Sequence, residues 1–155
     1  MVKIFSFDEL YEYYQQDKES IKAIHYGYNT ICNDGSYSTR DFEQYYCYLV
    51  NGIIVHITKV WWNKECIKLD DKLVTLLNYS STNPEFKNLG YAKLVLTKLV
   101  ADIKEANLSL YMSFYTEEGF NTIAKTVDRL CKEYKVELWD GALCSDKIYK
   151  PYHLI

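Results

Sequence analysis

A chain of 155 residues is one domain by length, and it is large enough to bury roughly two-thirds of its unfolded surface without disulfides or a structural metal. At 48% hydrophobic and 25% charged residues it has a globular balance, and no apolar run approaches the roughly 20 residues that span a bilayer. A formal net charge of −3, with no Lys/Arg block, argues against nucleic acid as a partner.

The opening segment MVKIFSFDEL has no apolar signal region. Cys32, Cys47, Cys66, Cys131 and Cys144 form an odd, widely spaced set without Cys-x-x-Cys, the usage expected of reduced structural thiols in a cytoplasm. Sixteen tyrosines stand out, clustered at Tyr11, Tyr13, Tyr14 and at Tyr45, Tyr46, Tyr48. Tyr joins apolar area to a polar tip and is favoured at interfaces, so a Tyr-rich surface for a protein partner is one reading; the compositional bias of an AT-rich genome is the other.

Ser6 followed by Glu9 is a capping-box pattern, with Phe7, Leu10, Tyr11 and Tyr14 at helical spacing, which predicts a helix over 7–16. Ile21, Ile24, His25 and Tyr28 repeat that spacing more weakly before the breaker Asn33-Asp34-Gly35-Ser36. From Gln44 to Val60 aromatic and β-branched residues flank Asn51-Gly52, a pair suited to the two positive φ values of a type I′ turn, so a hairpin is expected. A third strand is expected at about Lys72 to Ser81. After it, Ala92, Val95, Leu96, Leu99, Val100 and Ile103 form one helical stripe, with Lys93, Lys98, Asp102 and Glu105 assigned to the outer face. A strand over 108–114, a helix over 121–134 and a strand over 135–139 follow. The tail from Cys144 is read as an edge strand ending at Pro151. The order is α+β, with a strand-helix-strand unit that favours local parallel pairing.

His25, His56 and His153 share no metal-ligand spacing, so no metal site is expected. Signatures of serine hydrolases, P-loop proteins and dinucleotide-binding proteins are absent.

The most informative stretch is TNPEFKNLGYAKL, from Thr82 to Leu94. A helix that begins just after a strand offers unpaired backbone N–H groups and the positive end of its dipole, and Gly90 permits an anion to come close. Lys87-Asn88-Leu89-Gly90-Tyr91-Ala92 resembles the Gln/Arg-x-x-Gly-x-Gly/Ala signature by which GNAT-family N-acetyltransferases hold the pyrophosphate of acetyl-coenzyme A, with Lys in place of Gln or Arg. Pro84-Glu85-Phe86 resembles the Pro-Glu-Tyr that often leads into it, and the order of elements matches across most of the chain.

The resemblance implies a single GNAT-like domain over 1–155, a mixed sheet of about six strands flanked by about four helices. It also implies acetyl-CoA as acyl donor and an amine acceptor that is a small molecule or a protein. In that family the signature strand splays from the next, and the pantetheine arm lies in the gap. Carried over by position, Ser80 and Thr82 lie on that strand, Lys87, Asn88, Leu89, Gly90, Tyr91 and Ala92 surround the pyrophosphate, and Asn121 lies near the pantetheine. Tyr115, ahead of Gly119-Phe120, is the candidate proton donor to the thiolate. Many members carry a Glu base at the start of the signature strand, where this chain has about Leu76. Glu43, Glu85, Asp70 and Asp71 are nearby in sequence and are read as solvated carboxylates. Two functions remain: an acetyl-CoA-dependent N-acyltransferase, or a protein of the same fold without catalysis that binds a partner through its tyrosines.

Overall fold

Ser6 ends one element and begins the next. The computed structural model describes residues 1–17, 43–62, 68–69, 72–112 and 119–140. In it, strand β1 (Val2–Ser6) runs directly into helix α1 (Phe7–Gln16), and the Ser6 side chain and the Glu9 side chain close the capping box reciprocally. The expected helix keeps its bounds; β1 is an element the sequence reading passed over, because five residues ahead of a strong cap give little alternation to count.

Strands β2 (Glu43–Val50) and β3 (Ile53–Trp61) form the expected hairpin, with φ of 50° at Asn51 and 78° at Gly52. The two-residue β4 (Lys68–Leu69) pairs with β5 (Lys72–Thr82). A 3-10 turn (Pro84–Phe86) leads to α2 (Tyr91–Glu105), then β6 (Ser109–Met112). A π-helical turn (Phe120–Ala124) opens into α3 (Lys125–Tyr134), and β7 (Leu138–Asp140) closes the sheet. The last strand starts later than the sequence implied, because Lys135 adopts a left-handed φ of 57° just past the helix and the chain must turn before it can extend. The second helix expected near 21–28 and the edge strand expected in the tail lie outside the described residues.

The sheet order is β1-β2-β3-β5-β6-β7. Pairing is antiparallel from β1 to β5, whereas β5–β6 and β6–β7 are parallel. Alternation gives the strands two dressed faces. Tyr46, Val60, Leu77, Leu110 and Met112 face α2 and α3, where Val95, Leu96, Leu99, Val100 and Ile103 are buried. Tyr45, Cys47 and Ile57 face α1 with Phe7, Leu10 and Tyr14. Each such side chain contributes on the order of 1.5–3 kcal/mol by leaving water.

Tyr14, Tyr45 and Tyr46 are therefore core residues, at 6%, 0% and 2% exposure, and of the two tyrosine clusters only Tyr11 stands well out into solvent, at 42%. The clusters do not form one exposed surface, since strand alternation sends Tyr45 and Tyr46 into opposite layers. Asp102, expected on the outer face of α2, instead accepts a hydrogen bond from the Tyr46 hydroxyl at 2.8 Å and an ion pair from Lys98 at 2.7 Å.

Candidate functional site

Among the described residues β5 is paired over different lengths on its two sides. On one side β5 stays paired with β3 to Thr82; on the other its pairing with β6 runs from Val74 to Leu77. A bulge interrupts the β3 pairing, since Lys59 pairs with Tyr79 but Val60 with Leu77, leaving Asn78 as the extra residue. Where β5 ends, Asn83 is pinned by its N–H to the Val55 carbonyl at 2.8 Å, and its side-chain oxygen accepts the Glu85 N–H at 3.1 Å.

This turn aims the start of α2 at the space beside β5. Gly90 is the N-cap residue with φ 85°, and no side chain caps the helix. The first helical bond runs from the Leu94 N–H to the Gly90 carbonyl at 3.1 Å, so the N–H groups of Tyr91, Ala92 and Lys93 precede the ladder. A Cβ at Gly90 would meet nothing within 4 Å. Asn88, at φ 63°, supplies the other left-handed residue of the loop. Tyr91 stacks on Tyr48 with ring centroids 4.4 Å apart, which fastens the helix start to β2.

The space is a cavity of about 310 Å³, within the range of small-molecule sites. Ser80 and Thr82 from β5, Lys87, Asn88 and Gly90 from the loop, and Tyr91 and Ala92 from α2 all line it. Gly119, Thr122 and Ile123 from the π-helical turn and its cap, with Thr126 from α3, form the facing wall, and Phe86 from the 3-10 turn and Lys93 from α2 complete the other side. Of the residues named from sequence, Leu89 is 58% exposed and turned away from the cavity, and Asn121 is exposed beside the lining residue Thr122. Tyr115 lies outside the described residues, as do His25, His153, Asp70 and Asp71. The π-helical turn that carries Thr122 was not legible as such, though π-turns recur at functional sites.

The residues that the sequence reading set aside are more telling. His56 is fully buried between Thr58, Ser80 and Thr82: Nδ1 lies 2.7 Å from Thr82 Oγ1, and Nε2 lies 2.8 Å from Thr58 Oγ1 and 3.1 Å from Ser80 Oγ. Burial pushes its imidazole down to about 4, so the ring is neutral at physiological pH. Glu43, read as solvated, is 3% exposed; its carboxylate pairs with Lys59 at 2.9 Å and accepts the Tyr45 hydroxyl at 2.5 Å. That cluster sits on the α1 face, where a solvated carboxylate cannot be. Glu85 is exposed, as expected. Leu76, at the place where the family resemblance puts a base, lies in register between Trp61 and Tyr111. Cys47 and Cys131 are free and buried; burial raises both thiols, Cys131 to about 12, so neither is poised as a nucleophile.

Among the described residues, no group of His, Cys, Asp or Glu is arranged to hold a metal ion, and no helix is long and apolar enough to cross a membrane. The pieces do fit one bound group. Bare amides at a helix start, an open approach at Gly90 and neighbouring Lys87 and Lys93 suit a pyrophosphate, and the cavity continues along Ser80 and Thr82 of β5, which gives an extended arm a place to lie.

No protein-family model matches the chain, and no curated protein matches its sequence. Solved structures do match it in shape. An aminoglycoside acetyltransferase from an uncultured soil metagenomic sample superposes with a TM-score of 0.59 at 12% identity, over 84% of this chain and 89% of that one. A second such enzyme, also from an uncultured soil metagenomic sample and in complex with trehalose, gives 0.56 at 8% identity over 82% and 86%. The aminoglycoside N-acetyltransferase AAC(6')-Iy in complex with CoA gives 0.53 at 12% identity over 88% and 87%. At such identities the likeness is one of architecture, and the conclusion it carries is that this chain has the fold of the GNAT N-acetyltransferases.

Proposed function

We propose that the protein is an acetyl-CoA-dependent N-acyltransferase acting on an amine. The observation that carries this reading is the uncapped start of α2 behind Gly90, opening on the cavity beside β5 in a fold shared with acetyltransferases. Acetyl-CoA supplies the activated acetyl thioester. The amides of Tyr91 to Lys93, with Asn88 and Lys87, would hold its pyrophosphate, while Ser80, Thr82 and the facing wall at Thr122 and Thr126 would hold its arm.

An amine must be neutral to attack, and the chain places Leu76 where a carboxylate base is common, so water takes that proton in this reading. Tyr115 is the residue we assign as donor to the departing sulfur: it lies four residues ahead of Gly119, which lines the cavity. One structural neighbour holds the aminoglycoside sisomicin, and with a chain of net charge −3 this favours a small cationic amine as acceptor.

The test is calorimetric titration with acetyl-CoA and with coenzyme A, followed by thiol-release assays against aminoglycosides and simple amines. Micromolar binding of both with turnover on an amine is the expected result. Leu76 favours a second reading, a protein of this fold without catalysis. Coenzyme binding with no turnover on any amine would support that reading, and no binding at all would overturn the cofactor assignment.

A further inference from the structure

The floor of the cavity is wired. Four polar side chains occupy two cross-strand pairs on the α2 face of the sheet, His56 opposite Thr82 and Thr58 opposite Ser80. Besides the three contacts of the imidazole, Thr58 Oγ1 lies 2.8 Å from Ser80 Oγ. His56 and Thr58 are fully buried, while Ser80 and Thr82 reach the cavity.

Proton counting restricts what this group can show to a ligand. A neutral imidazole has one N–H and one lone pair, and each hydroxyl has one hydrogen. If Nδ1 carries the proton, it donates to Thr82, whose own hydrogen is then free for the cavity. Nε2 must then accept: either Thr58 donates to it and Ser80 donates to Thr58, or Thr58 donates to Ser80 and Ser80 donates to Nε2. In both arrangements the Ser80 hydrogen is used within the group, and Ser80 offers the cavity a lone pair. If Nε2 carries the proton, Thr82 donates to Nδ1 and offers a lone pair, Thr58 donates to Ser80, and the Ser80 hydrogen is free. In both tautomers the cavity meets one donor and one acceptor, two residues apart on β5.

We infer that His56 is a positioning residue: by fixing the hydroxyl directions of Ser80 and Thr82, it makes the cavity floor complementary to the N–H and C=O of an amide-bearing chain. The inference rests on the coenzyme reading, since the arm of coenzyme A is such a chain and its nucleotide half is not.

Titrating coenzyme A and its nucleotide half, which keeps the pyrophosphate but lacks the amide arm, separates the possibilities. His56→Phe, which preserves volume and removes both ring nitrogens, should weaken coenzyme A about tenfold and leave the nucleotide half within about twofold. His56→Gln, with one donor and one acceptor, should restore most of the affinity. Unchanged coenzyme A affinity in His56→Phe, or equal losses on both ligands, would overturn the inference. If His56→Phe does not fold, Thr82→Val takes its place with the same pair of ligands and the same criteria. A wild-type protein that binds neither ligand would remove the coenzyme reading and this inference with it; one that binds both, with an indifferent His56→Phe, removes the inference alone.

Discussion

Among the described helices, α1 follows β1 directly and α2 follows β5 through a turn and a short loop, and the two starts are finished in opposite ways. At α1 the Ser6 hydroxyl accepts the Glu9 N–H at 3.1 Å and the Glu9 carboxylate accepts the Ser6 N–H at 3.0 Å, so the chain's own side chains close the capping box. At α2 the N-cap is Gly90, whose φ of 85° no side-chain cap accompanies, and the amides face a cavity. A Gly at the N-cap in place of Ser costs only about a few tenths of a kcal/mol, so the contrast lies in what the amides can bind rather than in stability. One helix start carries a cap from its own sequence; the other is left open to a ligand.

The sharpest way to break the contrast is to fill the open end. Gly90→Trp directs a large side chain into space where nothing lies within 4 Å, at a residue outside the core. Coenzyme A affinity should fall by a thousandfold or more, about 4 kcal/mol. The strained φ should cost the fold roughly 1–2 kcal/mol, leaving the melting transition cooperative. Calorimetry beside a thermal melt reads both; a variant that binds normally would show that the amides of α2 are not the anion site.

The layers beneath the two helix starts differ as well. Behind α1 lie Phe5, Tyr45 and Cys47, whereas His56 lies buried beside the end of β5 that faces α2. Its folded-state value, about 4, is below the ordinary 6.5 because burial disfavours the charged ring. The unfolded chain therefore binds the extra proton first as pH falls, and stability declines from about pH 6.5 down through 4, by on the order of 3 kcal/mol. Denaturant titrations at several pH values should show that decline in the wild type and a shallower one in His56→Phe. Parallel curves for the two proteins would mean that the ring is not buried and neutral as described.

The same contrast shows what could be read from sequence. The cap of α1, the Asn51-Gly52 turn and the apolar stripe of α2 were all legible, because each is a local pattern whose cause lies within a few residues. The β5 and loop side of the cavity was legible too, since Gly90 and its neighbours are contiguous and Ser80 and Thr82 share a strand face; the facing wall at Gly119, Thr122, Ile123 and Thr126 was not. Leu89 belongs to the same motif yet points outward, which a linear motif cannot say. Glu43 was misjudged, and the surroundings of His56 were not legible, for one reason: their partners, Lys59 for the first and Ser80 and Thr82 for the second, lie on neighbouring strands across the sheet, and register is a property of the assembled fold. Asp102 was placed outside on helical spacing alone, and only the packing of β2 against α2 brings Tyr46 within its reach.

The smallest effects belong to the closed end, and they test whether it is a purely structural counterpart. Ser6→Ala removes the acceptor of the Glu9 N–H and should cost about 1 kcal/mol, with coenzyme A affinity unchanged. Glu9→Gln is finer, because an amide oxygen still accepts the Ser6 N–H and only the charge is lost. The bonds to Ser6 hold the Glu9 carboxyl below its ordinary 4.5, so its contribution is present above that pH and is lost as pH falls through the folded value. Exposed to solvent and screened, the charge at this helix start is worth a few tenths of a kcal/mol. Urea midpoints of wild type and Glu9→Gln should therefore differ slightly at pH 7 and converge in acid, once the pH is below the lowered folded value. A gap that persists in acid would assign the effect to the geometry of the cap rather than to its charge.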